Sequence, residues 1–289
     1  MGFPIARRLA QAGFALSAYD PVGDRGTSLS AAEPNVAVAV DSSSLAAQAD
    51  VIITCLPDEQ AVESTFLAGD TALQRQARPG TITIDHSTCS PDLARSINDA
   101  LERRGIMHIE APLFGGVQHA SEGLLFLALS GRDEARALTT PNAPLAKIAA
   151  AIARGWQWVG GPGAAMTFKR LQNGLGLVQL TAMGELAAAC RRLKVDPQLF
   201  YALVNEAGGM AATPLFRERF PRMFADASVD ARLAIGAKDS DLFHRLVDPA
   251  ALSLVDTTAR VFSAAKVAGL ADEDITSVWR VFERADPSP

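Results

Sequence analysis

A lysine and an asparagine form the first pair in the chain whose residue types and spacing could carry chemistry. Lys169 and Asn173 lie in a proline-free run, residues 163–196, where apolar positions recur every three or four residues, so the two share one helical face. A lysine partly shielded from water loses hydration, which lowers its pKa and makes it a usable general acid or base, whereas arginine stays charged. Lysine occupies only five of the 27 basic positions, and the neighbours Met166, Phe168 and Leu171 are apolar. An ordinary solvated helix lysine is the alternative.

A glycine pair forms a second group of candidates. Gly115 and Gly116 follow a strand-like run, and their backbone N–H groups, unobstructed by a Cβ atom, could approach a carboxylate. An ordinary loop is the alternative interpretation.

The start of the chain matches the end of a dinucleotide-binding fingerprint. In a doubly wound sheet, G-x-G-x-x-G joins the first strand to a helix whose N-terminus binds the pyrophosphate, and an acidic residue about 20 positions on binds the ribose. Met1 and Gly2 precede a helical pattern, and Asp20 ends the next strand-like run. Because only the last glycine is present, we expect a sheet without its first strand, which would be central.

Two further sites follow predicted strands. Leu56 and Pro57 come after VIITC (51–55), and Thr88 comes after TITID (81–85). Since ligands of such folds bind at the carboxyl ends of the strands, these residues are expected to lie against the cofactor. Ordinary turn residues are the alternative.

The elements that must position these residues change type near residue 160. Before it, short apolar runs at 14–20, 36–40, 51–55, 81–85, 106–111 and 124–131 alternate with helical patterns at 3–13, 42–49, after 58 and at 91–104. This alternation predicts an α/β fold with a mostly parallel, doubly wound Rossmann-type sheet over residues 1–160. Residues 161–289 read as an all-helical domain that begins with a long helix and continues with helices at 196–206, 212–225, 249–268 and 272–285.

Composition excludes several classes of function. A net charge of -5, without a basic run, argues against nucleic acid as a partner. No uncharged apolar stretch is long enough to span a membrane, and no signal peptide is evident. Three scattered cysteines fit a reducing, cytoplasmic compartment. No metal is expected, because the four histidines lack neighbours at ligand spacing: His86, His108, His119 and His244.

Several segments, in order, resemble one enzyme family. They are MGFPIARRLAQAG (1–13), VIITCLPD (51–58), IDHSTCSP (84–91), EAPLFGGVQHASEGLLFLALSG (110–131), GPGAAMTFKRLQNG (161–174) and AKDSDL (237–242). Together they are similar to the β-hydroxyacid dehydrogenases, which include 3-hydroxyisobutyrate dehydrogenase, tartronate semialdehyde reductase and glyoxylate/succinic semialdehyde reductases. The resemblance covers essentially the whole chain.

The resemblance implies an NAD(P)-dependent oxidoreductase that moves a hydride between nicotinamide and a small β-hydroxy acid or semialdehyde. Lys169 would be the general acid/base, and Asn173 would hold the substrate or the lysine. Gly115 and Gly116 would bind the substrate, and Lys238 would reach the cofactor from the helical domain. A homodimer or homotetramer is implied by analogy.

Phe114 departs from the family, which usually has serine there to help bind a carboxylate. As a substrate-binding residue, Phe114 leaves two alternatives: a carboxylate held by the backbone and other groups, or a bulkier and more apolar substrate. Plain core packing of the ring is a third.

Asp20 favours NAD, because a carboxylate accepts bonds from the ribose hydroxyls and repels a 2′-phosphate. Arg25 could still serve a phosphate, which keeps NADP open. The alternative is a non-catalytic relative of the family that keeps the fold as a dinucleotide-binding or assembly module. The expected loss of the first strand and the presence of Phe114 favour this alternative. An imine reductase is a further alternative, and Lys169 argues against it.

Overall fold

The computed structural model describes residues 1–141, 143–208, 211–225, 228–247 and 253–283. The chain divides into two units, Met1–Lys169 and Arg170–Pro289.

The first unit alternates strands and helices. Its strands are β1 (Leu16–Ala18), β2 (Val36–Val38), β3 (Val51–Thr54), β4 (Ile82–Asp85), β5 (Met107–Glu110), β6 (Leu113–Phe114), β7 (Leu125–Gly131) and β8 (Ala153–Gly160). Its helices are α1 (Gly2–Gln11), α2 (Asp24–Ala32), α3 (Ser42–Gln48), α4 (Glu59–Phe66), α5 (Leu73–Gln76), α6 (Pro91–Glu102), α7 (Val117–Glu122) and α8 (Pro144–Ile152). A 3-10 helix spans Asp133–Thr139.

The strands form two sheets. β1 pairs with β2 in parallel, and a six-stranded sheet has the order β3-β4-β5-β7-β6 with β8 also paired to β7. The β3–β4, β4–β5 and β7–β8 pairs are parallel, whereas β5–β7 and β6–β7 are antiparallel. The predicted fold class, with its mostly parallel sheet, is confirmed. Among the described strands, none pairs with both β1 and β3, the position at which a central strand was expected to be absent.

The six-stranded sheet packs against helices through apolar residues on both of its faces. Ile84, Ile109 and Leu127 belong to one buried cluster with helix α8, and Ile52 belongs to another with α4 and α6. Each fully buried side chain of this size stabilises the fold by about 1.5–3 kcal/mol. Helix α6 is capped by Ser90, whose hydroxyl accepts the N–H of Leu93, so the beginning of the helix is fixed locally.

The second unit is helical. Its elements are α9 (Ala164–Arg192, starting in the first unit), α10 (Pro197–Ala207), α11 (Pro214–Arg219), α12 (Leu233–Val247), α13 (Leu254–Val267) and α14 (Arg280–Glu283), with 3-10 helices at Pro221–Met223 and Ile275–Trp279. A buried aromatic cluster forms its core, with Phe216 and Phe220 stacked at 4.7 Å between ring centroids.

Some predicted boundaries differ from the observed ones. The helix predicted at 212–225 is divided, because Pro221 has no N–H for the helical ladder and starts a 3-10 turn. Of the helix predicted at 249–268, residues 249–252 lie outside the described residues, as do residues 284–285 of the helix predicted at 272–285. Within the helix predicted at 272–285, the chain forms the 3-10 helix Ile275–Trp279 followed by α14. The sequence patterns did not predict β6, β8, α2, α5, α7, α8 or α12.

Among the described residues, no helix combines the length and apolar character needed to cross a bilayer.

Candidate active site

The start of helix α9 is fixed by a buried carboxylate. Glu110 ends β5 and is fully buried. Its Oε1 accepts the backbone N–H of Gly163 at 2.5 Å, and its Oε2 accepts the hydroxyl of Ser130 at 2.8 Å. The same hydroxyl oxygen accepts the N–H of Ala165 at 3.0 Å. Negative charge and acceptors at a helix N-terminus satisfy its unpaired N–H groups, so the first turn of α9 is tied to β5 and β7.

Lys169 lies about one and a half turns beyond this anchored start. Its side chain is half-buried, and its Nζ lies 5.1 Å from the ring centroid of Phe114 at the end of β6. An ammonium at that distance over a ring face is attracted by the π electrons. Two residues 55 positions apart in the chain therefore meet, and the proton-carrying group of the candidate site lies beside Phe114.

The loop after Phe114 is tightly constrained. Gly115 has a φ of +132°, and a Cβ atom there would lie 3.0 Å from both His119 and Leu125, so a side chain would be strained. The N–H of Gly116 donates to Nδ1 of His119 at 3.3 Å. This bond uses an N–H that was expected to approach a carboxylate.

Asn173 belongs to a polar chain within the second unit. Its Nδ2 donates to Oδ2 of Asp239 on α12 at 2.9 Å, and the Nζ of Lys238 lies 3.1 Å from Oδ1 of Asp239. All three side chains are half-buried. The bond to Asp239 fixes the orientation of the Asn173 amide.

The predicted cofactor residues of the first unit lie at strand ends. A Cβ atom on Gly2 would lie 3.6 Å from the Cβ of Cys55, so the start of α1 lies beside the residue that follows β3. The N–H of Leu56 donates to the hydroxyl of Ser87 at 2.9 Å, which ties the carboxyl end of β3 to the segment after β4. Pro57 is exposed, as is Met1, and Thr88 is half-buried.

A network beneath this edge centres on Asp85, the last residue of β4. Its Oδ1 accepts the hydroxyl of Thr54 at 2.8 Å and the N–H of Ser87 at 2.9 Å. Burial raises the pKa of Asp85, although these hydrogen bonds oppose that shift. The network holds the ends of β3 and β4 in register at the edge where the predicted cofactor residues lie.

Asp20 borders a cavity of about 300 Å³ at the carboxyl ends of β1 and β2. Its Oδ1 accepts the N–H of Val22 at 2.9 Å, and its Oδ2 lies 3.4 Å from Nη1 of Arg25. The rest of the wall consists of small and apolar residues: Tyr19, Pro21, Gly23, Gly26, Val38, Ala39 and Val40. This volume is at the lower end of that of small-molecule sites.

Taken together, these residues fit a dinucleotide. A helix N-terminus at the end of β3 suits a pyrophosphate, and a carboxylate beside a cavity at the end of β1 suits a ribose. The placement is that expected for the cofactor of a doubly wound fold.

The histidines of the first unit have structural partners. The Nδ1 atom of His86 lies 2.7 Å from the carbonyl oxygen of Ala111, and His108 Nδ1 lies 2.8 Å from the Thr83 hydroxyl. Burial lowers the pKa of His86 to about 4 and that of His108 to about 3, so both rings are neutral near pH 7. No cluster of three or more His, Cys, Asp or Glu side chains suited to a metal occurs within the described ranges.

Comparison with known proteins identifies the family. A family model described as the NAD binding domain of 6-phosphogluconate dehydrogenase matches residues 1–160. A second, described as the NAD-binding of NADP-dependent 3-hydroxyisobutyrate dehydrogenase, matches residues 163–282. The chain belongs to the β-hydroxyacid dehydrogenase family. This confirms the predicted family, the dehydrogenase class acting on a CH–OH group and a nicotinamide dinucleotide as cofactor.

Individual members of the family are similar at moderate identity. A probable 3-hydroxyisobutyrate dehydrogenase of Mycobacterium tuberculosis is 29% identical over 72% of this chain and 67% of its own. The L-threonate dehydrogenase of Cupriavidus necator is 26% identical over 98% of this chain and 93% of its own. The crystal structure of a 3-hydroxyisobutyrate dehydrogenase from Salmonella typhimurium shares the fold, with a TM-score of 0.84, 23% identity and coverage of 97% and 96%.

In this β-hydroxyacid dehydrogenase, the structure groups the predicted site residues within each unit. Lys169 lies beside Phe114, and Asn173 is joined to Lys238 through Asp239. Sequence reasoning did not find the anchoring role of Glu110. A charged residue at the end of a buried strand was the available signal, because a buried carboxylate requires partners.

Proposed function

We propose that the enzyme moves a hydride between nicotinamide and the carbinol carbon of a small β-hydroxy acid, or the matching semialdehyde, with Lys169 as general acid/base. The observation that carries this proposal is the half-buried ammonium of Lys169, placed beside the loop after β6 on a helix whose start is anchored by Glu110. Bound nicotinamide supplies the hydride acceptor or donor.

Lys169 carries the proton that accompanies the hydride. In the oxidation direction the neutral amine accepts the hydroxyl proton as the hydride leaves carbon, which yields a carbonyl group and an ammonium. In the reduction direction the ammonium donates that proton to the carbonyl oxygen. Arginine could not replace it, because a guanidinium does not release its proton in this pH range.

Asn173 is proposed to bind the substrate. Its hydrogen bond to Asp239 orients the amide, and the ion pair between Asp239 and Lys238 fixes the carboxylate in turn. An amide held in one orientation loses less conformational entropy when it binds a ligand.

NAD is the proposed physiological cofactor. The carboxylate of Asp20 at the cavity edge accepts hydrogen bonds from the ribose hydroxyls of NAD and repels the 2′-phosphate of NADP. The guanidinium of Arg25 lies beside the Asp20 carboxylate. Part of the positive charge of Arg25, which could otherwise attract a 2′-phosphate, is therefore neutralised within the protein. The measurement is kcat/KM for NAD against NADP. A higher value for NADP would contradict the assignment.

The test of Lys169 compares Lys169→Ala with Lys147→Ala, a change at an exposed lysine on α8. Lys169→Ala should lower kcat by about 10²–10⁴-fold, the usual contribution of a general acid/base, while a fluorescence titration shows unchanged cofactor affinity. Lys147→Ala should change neither value. Turnover retained in Lys169→Ala would remove Lys169 from the chemistry, and no cofactor binding at millimolar concentration would contradict the enzymatic function of this chain.

The expected homodimer or homotetramer stays a prediction, to be measured by light scattering.

A further inference from the structure

The side chain nearest to the proton-carrying atom of Lys169, among the contacts described above, is a phenyl ring. The centroid of Phe114 lies 5.1 Å from Nζ, and the ring is half-buried at the end of β6. A substrate hydroxyl must come within about 3 Å of Nζ to exchange its proton. The groups attached to the reacting carbon then come within van der Waals reach of the ring.

Two groups in and beside the loop after β6 are poorly suited to bind an anion. Phe114 has no hydrogen-bonding group, and the N–H of Gly116 is engaged by His119. Helix α7, which follows at Val117, has only six residues. The face of an aromatic ring is electron-rich, which attracts the ammonium of Lys169 and disfavours a carboxylate in the same place.

The residue that follows position 114 is a poor substitute for it. A side chain at Gly115 would be strained, because φ is +132° and a Cβ atom would meet His119 and Leu125 at 3.0 Å. The Phe114 ring therefore sets the chemistry of this wall of the site.

Resting on the oxidoreductase function proposed above, we propose that Phe114 is a specificity-determining residue that selects substrates with a bulky apolar substituent. The substrate class is β-hydroxy acids, or their semialdehydes, whose substituent beside the reacting carbon is branched alkyl or aryl. That substituent packs on the ring, and the carboxylate of the substrate is held away from the loop after β6.

The experiment compares two alcohols that differ at that substituent, 3-hydroxypropanoate and 3-hydroxy-2-phenylpropanoate, with the full chain and its cofactor. The wild type should favour the phenyl-substituted acid in kcat/KM by about tenfold or more, the usual range for an apolar group in a fitting pocket. Phe114→Ser should abolish or reverse that ratio, and Phe114→Leu should keep its direction. Far-UV circular dichroism checks that each variant is folded.

Phe126→Leu is the matched control. Phe126 pairs with Phe114 across β6 and β7, but its ring lies 6.0 Å from the guanidinium of Arg154. Removal of this ring should leave the substrate ratio unchanged.

The outcomes separate the two proposals. If the wild type prefers 3-hydroxypropanoate, or if Phe114→Ser keeps the wild-type ratio, the role of Phe114 is refuted while the oxidoreductase function stands. If the wild type binds the cofactor but oxidises neither acid, the substrate class is refuted. If it does not bind the cofactor, the proposed function fails and the substrate class fails with it.

Discussion

Each unit contains a carboxylate at a point where separate chain segments meet, and the two are held differently. Glu110 in the first unit accepts bonds from neutral donors, namely backbone N–H groups and a serine hydroxyl, and burial raises its pKa. Asp274 in the second unit accepts an N–H of the Arg222 guanidinium at 2.9 Å, together with the Thr276 hydroxyl at 2.7 Å. Burial alone would raise the pKa of Asp274, but these hydrogen bonds outweigh it and hold the pKa well below its usual range.

The difference between the two carboxylates follows from the presence of a cation. Both accept several hydrogen bonds, and both lie in poorly hydrated surroundings, but only Asp274 has a guanidinium that stabilises its charged form. Asp274 joins loop segments of the helical unit, whereas Glu110 holds the helix that carries Lys169. We therefore expect the first arrangement to serve stability and the second to position the proposed general acid/base, Lys169. The predictions below test this division.

The largest effect on stability is expected from Asp274→Ala. The change leaves Arg222 without its carboxylate and removes the acceptor of the Asp230 and Thr276 N–H groups. We expect the free energy of unfolding to fall by about 3 kcal/mol, the lower end for a broken buried pair, because Arg222 is partly exposed. Urea denaturation followed by circular dichroism measures this free energy.

Asp272→Ala, at an exposed ion pair with Arg232, is the control and should change the free energy of unfolding by less than about 0.5 kcal/mol. Equal losses in both variants would contradict the role of Asp274.

Glu110→Gln is expected to affect catalysis more than stability. The amide keeps one acceptor oxygen where the carboxylate uses two. The free energy of unfolding should therefore fall by only about 1–2 kcal/mol. The start of α9 would shift slightly, and misplacement of Lys169 should lower kcat by about tenfold, while the KM for the cofactor stays unchanged. Glu63→Gln, at an exposed position of α4, is the control. A change in KM alone would show that Glu110 does not position Lys169.

The smallest effect is the pH dependence, and its sign should differ between the two sites. The pKa of Asp274 is lowered from its ordinary 3.8, so its contribution to stability is present above that value and is lost as the pH falls. The pKa of Glu110 is raised from its ordinary 4.5, so its contribution is present below that value and is lost as the pH rises through the folded-state pKa. The two sites are distinguished by the direction in which stability changes with pH.

Urea denaturation at several pH values measures this contrast. The stability gap between wild type and Asp274→Asn should narrow on acidification, and the gap between wild type and Glu110→Gln should narrow as the pH rises. If both differences in stability narrowed over the same pH range, the proposed contrast between Asp274 and Glu110 would be refuted.

Local patterns in the sequence predicted most of the α/β unit. Apolar runs such as VIITC and TITID became β3 and β4, and Pro91 began a helix as its type favours. Periodicity also predicted the long helix that carries Lys169, because its spacing is a property of the helix itself. Lys169 could therefore be singled out before its surroundings were known.

Long-range contacts could not be predicted in this way. Glu110 and Gly163 are 53 positions apart in the chain, and no local signal in the sequence joins them. Strand β8, with the sequence ARGWQWVG, is half-exposed and has no continuous apolar run, so periodicity gave no strand there. The bond between Asn173 and Asp239 depends on the packing of α9 and α12, which spacing within one helix does not define.

The backbone of Gly115 also restricts how this enzyme could evolve new selectivity. With a φ of +132° and no space for a Cβ atom, Gly115 cannot acquire a side chain without displacement of His119 and Leu125. Of these two neighbouring positions, the one before Gly115 therefore accepts a change of side chain with less strain. If Phe114 selects the substrate as proposed, a single substitution at this codon is enough to change the substrate selectivity of the enzyme.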